Sequence, residues 1–208
     1  MQIIKASAEI LAATPDLEQI IEIAGRTCYR SEDKITAESA TKFIQMLKER
    51  HHMAMLEHGA ITVRFICDRG VSHEIVRHRI ASYGQESTRY CNYSKDKFGN
   101  EITVIDIKEG FPEMSVASYA AWKSAMKAAE IAYFLMLDAG STAQEARSVL
   151  PNSLKTAIAM TANPREWMHF FSLRTDKAAH PQMREVAIPL FEEFKKRWPA
   201  IFDSINQN

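Results

Sequence analysis

Residues 77–90, RHRIASYGQESTRY, concentrate hydrogen-bond donors in one short stretch. Arginine binds phosphate oxygens through two N–H groups at once. Ser87, Thr88 and Arg89 form a continuous run of hydrogen-bond donors suited to phosphate oxygens. A solvated basic face is the simpler interpretation, but the neighbours are not the lysines and glutamates that usually cover one. The stretch therefore favours an anion site, and Tyr83 and Tyr90 are either core residues or packing partners for a base.

A second polar cluster, HHMAMLEH at residues 51–58, contains three histidines and one glutamate. Histidine and glutamate are common metal ligands, but the HExxH motif is absent. The similar run HEIVRH separates His73 from His78 by five residues, which places them on different faces of a helix. We therefore do not predict a metal site, and the cluster is either a solvated loop or part of another binding site.

A third cluster lies in NPREWMHFFSLR, residues 163–174. Asn163 precedes a proline and is typical of a helix cap, and Arg174 at the helix end is favoured by the helix dipole alone. Arg165 and His169 are four residues apart and share a helix face. The aromatic residues Trp167, Phe170 and Phe171 are predicted to be core. Arg147, on a preceding helix, has an equally simple structural explanation.

Composition limits the class of protein. The 208 residues suit one domain over residues 1–208, and 46% hydrophobic residues suffice for a substantial core. Equal numbers of acidic and basic residues argue against a general nucleic-acid binder. No apolar run has membrane-spanning length and the N-terminal residues MQIIKASAEI lack the layout of a signal peptide, so we expect a soluble, cytoplasmic protein. Three scattered cysteines suggest free thiols, and no glycine-rich phosphate loop is present.

The predicted strands and helices that position these clusters do not follow a regular βαβ order. We predict strands at residues 2–8, 60–68, 101–107 and 153–163, and helices at residues 15–29, 37–50, 114–138, 141–149, 165–174 and 181–197. A turn at residues 68–70 leads into a further helix, residues 51–59 form a loop, and residues 80–100 are irregular. This order predicts an α+β fold, an α/β sandwich with a mixed or antiparallel sheet flanked by helices, the long ones in the C-terminal half.

Together the clusters resemble the flavin-dependent thymidylate synthase family. RHRIASYGQES matches the family signature of Arg-His-Arg, seven residues and Ser, and Ser82 and Arg89-Tyr90 match its extended form. HMAMLEH resembles the upstream His-x4-Glu-His, whereas ARSVLP and NPREWMHFFSLR resemble the downstream Arg-x3-Leu-Pro and Asn-x-Arg…Arg segments. Four motifs in the family's order, over residues 51–187, make this resemblance specific.

The resemblance implies an enzyme of dTMP biosynthesis. The family methylates dUMP at C5, with FAD as cofactor, 5,10-methylenetetrahydrofolate as one-carbon donor and NADPH as reductant. It implies a homotetramer with active sites between subunits and no nucleophile from the protein. This implied function agrees with the residues, because the sequence has no glycine-rich phosphate loop and side chains must therefore hold the nucleotide.

The family's functional residues carry over onto this sequence by position. Arg174 matches the catalytic arginine that activates the uracil. The resemblance implies that dUMP is bound by Glu74, Arg77, Gln85, Glu86, Ser87, Thr88, Arg89, Arg147 and Arg174. It implies that FAD is bound by His52, Ala54, Glu57, Arg77, His78, Arg79, Gln85, Asn163, Arg165 and His169.

The sequence departs from the family pattern at five of these motif positions. Glu74 stands where glutamine is usual, Gly84 where asparagine is usual and Gln85 where glutamate is usual; Ala54 replaces a threonine and His169 an asparagine. A carboxylate at residue 74 changes the hydrogen-bond pattern offered to the pyrimidine edge. One alternative is therefore hydroxymethylation of dUMP or dCMP on the same scaffold. A non-catalytic nucleic-acid-binding domain is the alternative from another class, and bound flavin distinguishes it.

Overall fold

The computed structural model describes residues 1–95 and 99–203, and its centre is a four-stranded antiparallel sheet. In spatial order its strands are β2 (Ser7–Ala13), β3 (Ile61–Asp68), β6 (Lys155–Ala162) and β4 (Ala81–Gln85). Two shorter strands, β1 (Gln2–Ile4) and β5 (Thr103–Ile105), pair in parallel as a separate sheet. The central strands β3 and β6 alternate buried and less buried residues, so one face of the sheet supplies the core.

Helices cover the sheets. They are α1 (Leu17–Thr27), α2 (Ser39–Glu49), α3 (Arg69–Ile75), α4 (Val116–Asp138), α5 (Ala143–Ala146), α6 (Pro164–Arg174), α7 (Pro181–Arg197) and α8 (Pro199–Phe202). Short 3₁₀ helices lie at Glu32–Lys34, Met53–Glu57 and Arg147–Val149. The two longest helices, α4 and α7, are in the C-terminal half, and the mixture of elements confirms the predicted α+β class.

Two hydrophobic clusters hold these elements together. The larger packs one face of the four-stranded sheet against α6, α7 and α8, with aromatic rings of α6 at its centre. Trp167 and Phe171 are fully buried, and the indole N–H of Trp167 donates to the Ile61 carbonyl at 3.1 Å. The smaller cluster lies under α4 around Tyr133 and Val104. The prediction that the aromatic residues of α6 are core is thus confirmed, whereas the single domain over residues 1–208 stays a prediction.

Sequence reasoning placed some boundaries wrongly. The opening strand is two strands in different sheets, and the second runs on to Ala13. Residues 68–70 are the start of α3, because the Asp68 carboxylate accepts the Val71 N–H at 2.7 Å and caps the helix. The predicted loop at residues 51–59 contains the 3₁₀ helix Met53–Glu57, which buries Leu56.

The largest error lies at the start of the segment predicted as irregular, residues 80–100, of which residues 96–98 lie outside the described part of the chain. Ala81–Gln85 form the edge strand β4, whose backbone pairs with β6 over its whole length. Its composition is polar and includes Gly84, so propensity gave no strand signal; tertiary pairing with β6 supplies the hydrogen bonds. In the described part of the chain, no helix combines the length and apolar character needed to cross a bilayer.

Candidate active site

Helix α6 presents four polar side chains that belong to the candidate site. The Asn163 side chain accepts the Glu166 backbone N–H at 2.9 Å, which confirms the predicted cap, and Pro164 occupies the first helical position. The aromatic residues of the same helix are locked in the core, so its orientation is fixed. Arg165, Glu166, His169 and Arg174 are therefore held on a rigid support.

Arg174 is half-buried and anchored at three points. Its Nε–H donates to His78 Nε2 at 3.2 Å, one terminal nitrogen donates to the Glu74 carboxylate at 2.9 Å, and the other donates to the Glu74 carbonyl at 2.9 Å. A guanidinium has five N–H groups. The described residues therefore leave two N–H groups for a bound molecule, on a cation whose orientation is already fixed.

His78 connects Arg174 to the interior of the protein. Its ring is buried, and Nδ1 lies 3.0 Å from a carboxylate oxygen of Glu166, itself only 8% exposed. The ring contacts Phe170 and the edge of His169. Burial lowers the pKa of His78 and the Arg174 charge lowers it further, against the opposing effect of Glu166. His78 is thus a neutral imidazole at neutral pH.

The loop after α3 is fixed by Tyr83 on β4. The phenol O–H donates to the backbone carbonyls of His78 and Ile75, so it closes the turn that carries the arginines of residues 77–79. Burial raises the pKa of Tyr83 to about 12, so the phenol stays a donor. Arg77 and Arg79 themselves are exposed and make no side-chain hydrogen bond or ion pair with any described residue.

Gln85 and Glu86 both bind within the chain. The Gln85 amide donates to the Ser72 hydroxyl at 2.9 Å and to the Thr156 hydroxyl at 3.3 Å. The Glu86 carboxylate pairs with the Lys155 ammonium at 2.7 Å and accepts a backbone N–H of β6. Both residues therefore tie the end of β4 to β6 and fix the position of the donor run that follows.

The donor run of residues 87–89 lies beside α5. Thr88 is buried, and the Ser87 hydroxyl accepts the Arg89 backbone N–H at 3.3 Å. The Arg89 Nε–H donates to the Gln144 side chain at 2.9 Å. Because Gln144 and Arg147 are three residues apart on one helical segment, they lie on the same side, and this contact brings the donor run towards Arg147.

The remaining predicted flavin residues lie around the 3₁₀ helix Met53–Glu57. Glu57 forms an exposed ion pair with Arg165 at 2.6 Å, which joins this helix to α6. His52 and Ala54 line a cavity of about 540 Å³ between α1, α2 and the 3₁₀ helix, whose floor includes Phe43 and Met55. The predicted residues thus lie in three groups: around Arg174 and His78, along residues 85–89, and around the 3₁₀ helix Met53–Glu57. Helix α6 links the first group to the third, because it carries both Arg174 and the Arg165 that pairs with Glu57.

Sequence reasoning missed Glu166. It is the one carboxylate in the sequence of α6 and lies three residues before His169, so helical spacing alone would have drawn attention to it. His78, Glu166 and His169 also place ligand-type atoms within 4.8 Å of one another, the spacing of a metal site. However, both His78 nitrogens are already engaged, one of them by the cationic Arg174, so the set acts as a hydrogen-bond chain here.

The fold and the candidate site define an α+β protein in which Arg174, His78 and Glu166 form a hydrogen-bonded chain. A family model described as thymidylate synthase complementing protein matches residues 9–200, and the chain belongs to this family. The predicted family and the predicted enzyme class, a methyltransferase, are thereby confirmed.

Relatives with the name flavin-dependent thymidylate synthase support this assignment. The protein from Geobacter sulfurreducens is 35% identical over 207 residues, which cover 93% of this chain and 84% of the relative. The one from Pyrococcus furiosus is 32% identical and covers 86% of this chain and 72% of the relative.

The fold also resembles solved structures. The UMP/dUMP methylase PolB from Streptomyces cacaoi, bound with 5-Br UMP, superposes with a TM-score of 0.78 at 23% identity, over 98% of this chain and 95% of the other. This likeness confirms the fold class.

Proposed function

We propose that the chain methylates dUMP to dTMP, with FAD as cofactor, 5,10-methylenetetrahydrofolate as one-carbon donor and NADPH as the source of the hydride. Family membership supports the reaction class. The observation that carries the proposal is the anchored Arg174, which keeps two N–H groups free on a fixed cation. Such a group suits a uracil ring whose N3 loses its proton and whose charge spreads onto a neighbouring oxygen.

The proposed role of Arg174 is electrostatic. C5 of the pyrimidine is a weak nucleophile, and loss of the N3 proton enriches the ring in electrons. A cation fixed in advance where negative charge develops stabilises the transition state, typically by about 3–4 kcal/mol per donor group. The partial burial of Arg174 strengthens this effect, because less water screens the charge.

The residues present fit a flavin by their chemistry. FAD carries a diphosphate, and Arg77 and Arg79 are exposed cations with no ion pair to the described residues. Its flat ring needs an apolar surface, and the cavity beside His52 and Ala54 offers one. When bound, the flavin supplies hydride-transfer chemistry. Under this proposal the phosphate of dUMP is held by the donor run of residues 87–89 with Arg147.

The proposal includes a homotetramer in the cytoplasm with active sites between subunits. The support is the exposure of Arg77 and Arg79, and of Tyr90, which is 79% exposed. An aromatic ring and cations this open on one chain suit a site that a neighbouring subunit completes. Size-exclusion chromatography with light scattering tests the subunit number.

The product decides the proposed reaction. Purified protein would be incubated anaerobically with dUMP, 5,10-methylenetetrahydrofolate and NADPH, and the nucleotide weighed by mass spectrometry. We expect the mass of dTMP and a yellow, flavin-containing protein. A hydroxymethyl product, or conversion of dCMP alone, would contradict the methylation. Colourless protein that binds DNA or RNA with a steep salt dependence would contradict the enzyme.

Replacing the cysteines should leave most of the turnover. Cys67 is buried and its burial raises the thiol pKa to about 12, so almost no thiolate exists at neutral pH. Cys28 is exposed, and neither Cys28 nor Cys67 forms part of the hydrogen-bonded chain of Arg174, His78 and Glu166. We expect the triple variant Cys28→Ser, Cys67→Ala and Cys91→Ser to form dTMP at a rate close to that of the wild type. Loss of turnover in folded Cys91→Ser alone would refute the scheme without a protein nucleophile.

Removing the Glu74 carboxylate should strengthen the action of Arg174 on the substrate. In Glu74→Gln, the amide oxygen still accepts the Arg174 N–H, but it no longer neutralises the charge that must meet the uracil. A partly exposed pair of this kind is worth about 0–1 kcal/mol, so we expect kcat/KM for dUMP to rise by up to about fivefold. Steady-state kinetics measure this, with Glu192→Gln on the exposed surface of α7 as the unchanged control. A fall in kcat/KM would show instead that Glu74 contacts the substrate favourably.

A further inference from the structure

Glu166 is a buried carboxylate whose surroundings define its charge. It lies in the first turn of α6, where the helix dipole favours an anion, and its side chain faces the ring of His78. Taking a carboxylate out of water is costly unless it accepts hydrogen bonds. The His78 Nδ1 lies 3.0 Å from a carboxylate oxygen of Glu166 and, when protonated, donates to it. An ionised Glu166 accepts hydrogen bonds and cannot donate one.

The other end of the chain is equally constrained. The Arg174 guanidinium is always protonated and has only donors, so the His78 nitrogen facing its Nε–H must carry a lone pair. A histidine between an obligatory acceptor and an obligatory donor has one protonation pattern that satisfies both. The proton lies on Nδ1 and Nε2 is free. The lowered pKa of His78 agrees with this neutral form.

We infer that Glu166 is a positioning residue, which fixes the Nδ1–H tautomer of His78 so that Nε2 anchors the catalytic Arg174. The contacts at Glu74 hold the two terminal nitrogens of the guanidinium, and among the described residues only His78 holds its Nε edge. Without it the plane of the guanidinium can rotate about the Glu74 contacts. The consequence for turnover rests on the proposed function, whereas the tautomer does not.

The variant that tests this inference is Glu166→Gln, which keeps the size of the side chain. An amide either accepts from Nδ1–H or donates to a bare Nδ1, so it permits both tautomers of His78. In the second tautomer, Nε2–H faces the Nε–H of Arg174 and repels it. Small displacements of a positioned group cost up to about 100-fold, so we expect kcat to fall by about 10- to 100-fold. The flavin content and the KM for dUMP should change little, because the proposed phosphate contacts lie elsewhere.

A double-mutant cycle separates positioning from a merely structural role. Arg174→Lys keeps the charge but lacks the Nε–H that binds His78. If Glu166 acts through Arg174, adding Glu166→Gln to Arg174→Lys lowers kcat no further. Glu130→Gln is the matched control, since Glu130 is also a buried, ion-paired carboxylate but belongs to the smaller hydrophobic cluster. The fold-losses in kcat from Glu130→Gln and Arg174→Lys should multiply in the double variant. If the losses from Glu166→Gln and Arg174→Lys also multiplied, the inference would be overturned.

The tautomer itself is measured without any turnover. In ¹⁵N NMR of histidine-labelled protein, with the His78 signals assigned by their loss in His78→Gln, the wild type should show a protonated Nδ1 and a bare Nε2. Glu166→Gln should show a mixture. A protonated Nε2 in the wild type overturns the inference, even if the variant fails to fold. Absence of dTMP formation by a wild type with the expected tautomer would refute the proposed function instead.

Discussion

Arg174→Ala is expected to lower kcat for dTMP formation by about 100- to 1000-fold, the loss typical of one preorganised donor to a developing anion. Alanine removes the cation and both N–H groups that the described residues leave free. The residues proposed for the flavin stay in place, so the protein should remain yellow. The measurements are kcat under saturating dUMP and the ratio of flavin to protein.

Two further variants serve as the comparison and the control for Arg174→Ala. Arg174→Lys keeps a charge but loses the planar contact with His78 and Glu74, so its turnover should lie between those of Arg174→Ala and the wild type. Arg64→Ala on β3 is the control, because Arg64 is an exposed arginine paired with Glu9 outside the site. Normal turnover in Arg174→Ala would remove this residue from the mechanism. Loss of flavin together with turnover would indicate a role in cofactor binding.

Trp167→Ala is expected to destabilise the protein by about 3–5 kcal/mol, a typical cost for truncating a buried aromatic side chain. Trp167 is fully buried among Phe65, Phe170 and Phe171, and its indole N–H satisfies the Ile61 carbonyl. The variant leaves a cavity and removes the indole N–H that the Ile61 carbonyl accepts. Since domains are stable by about 5–15 kcal/mol, this loss is a large fraction of the total.

The expected consequence reaches the active site, because Trp167 lies on the helix that carries Arg174. Denaturant unfolding followed by circular dichroism measures the free energy of unfolding, and kcat measured well below the transition reports on the site. Leu173→Ala on the same helix is the control; its side chain is 47% exposed, so the change should cost little. Equal destabilisation by Trp167→Ala and Leu173→Ala would contradict the assignment of Trp167 to the hydrophobic core.

The sequence alone determined much of the framework. The helices α1, α2, α4 and α7 and the β-branched strand β3 were predictable, because local propensity and hydrophobic patterning agree there. Four motifs in order between residues 51 and 187 were specific enough to identify the family. These signals are local, or depend only on the order of residues along the chain.

Only the tertiary structure decided how the motifs meet. Strand β4 forms because β6 offers it a hydrogen-bonded edge, although its own sequence is polar and contains a glycine. His78 becomes buried because α6, which begins more than 80 residues further on, packs Glu166 and Phe170 against its ring, and this burial lowers the pKa of His78. Arg174 was predicted from its motif, but its anchoring by His78 and Glu74 joins residues about 100 positions apart. Contacts of this separation leave no periodic trace in a sequence, so the role of Glu166 emerges only when the helix and the turn after α3 pack together.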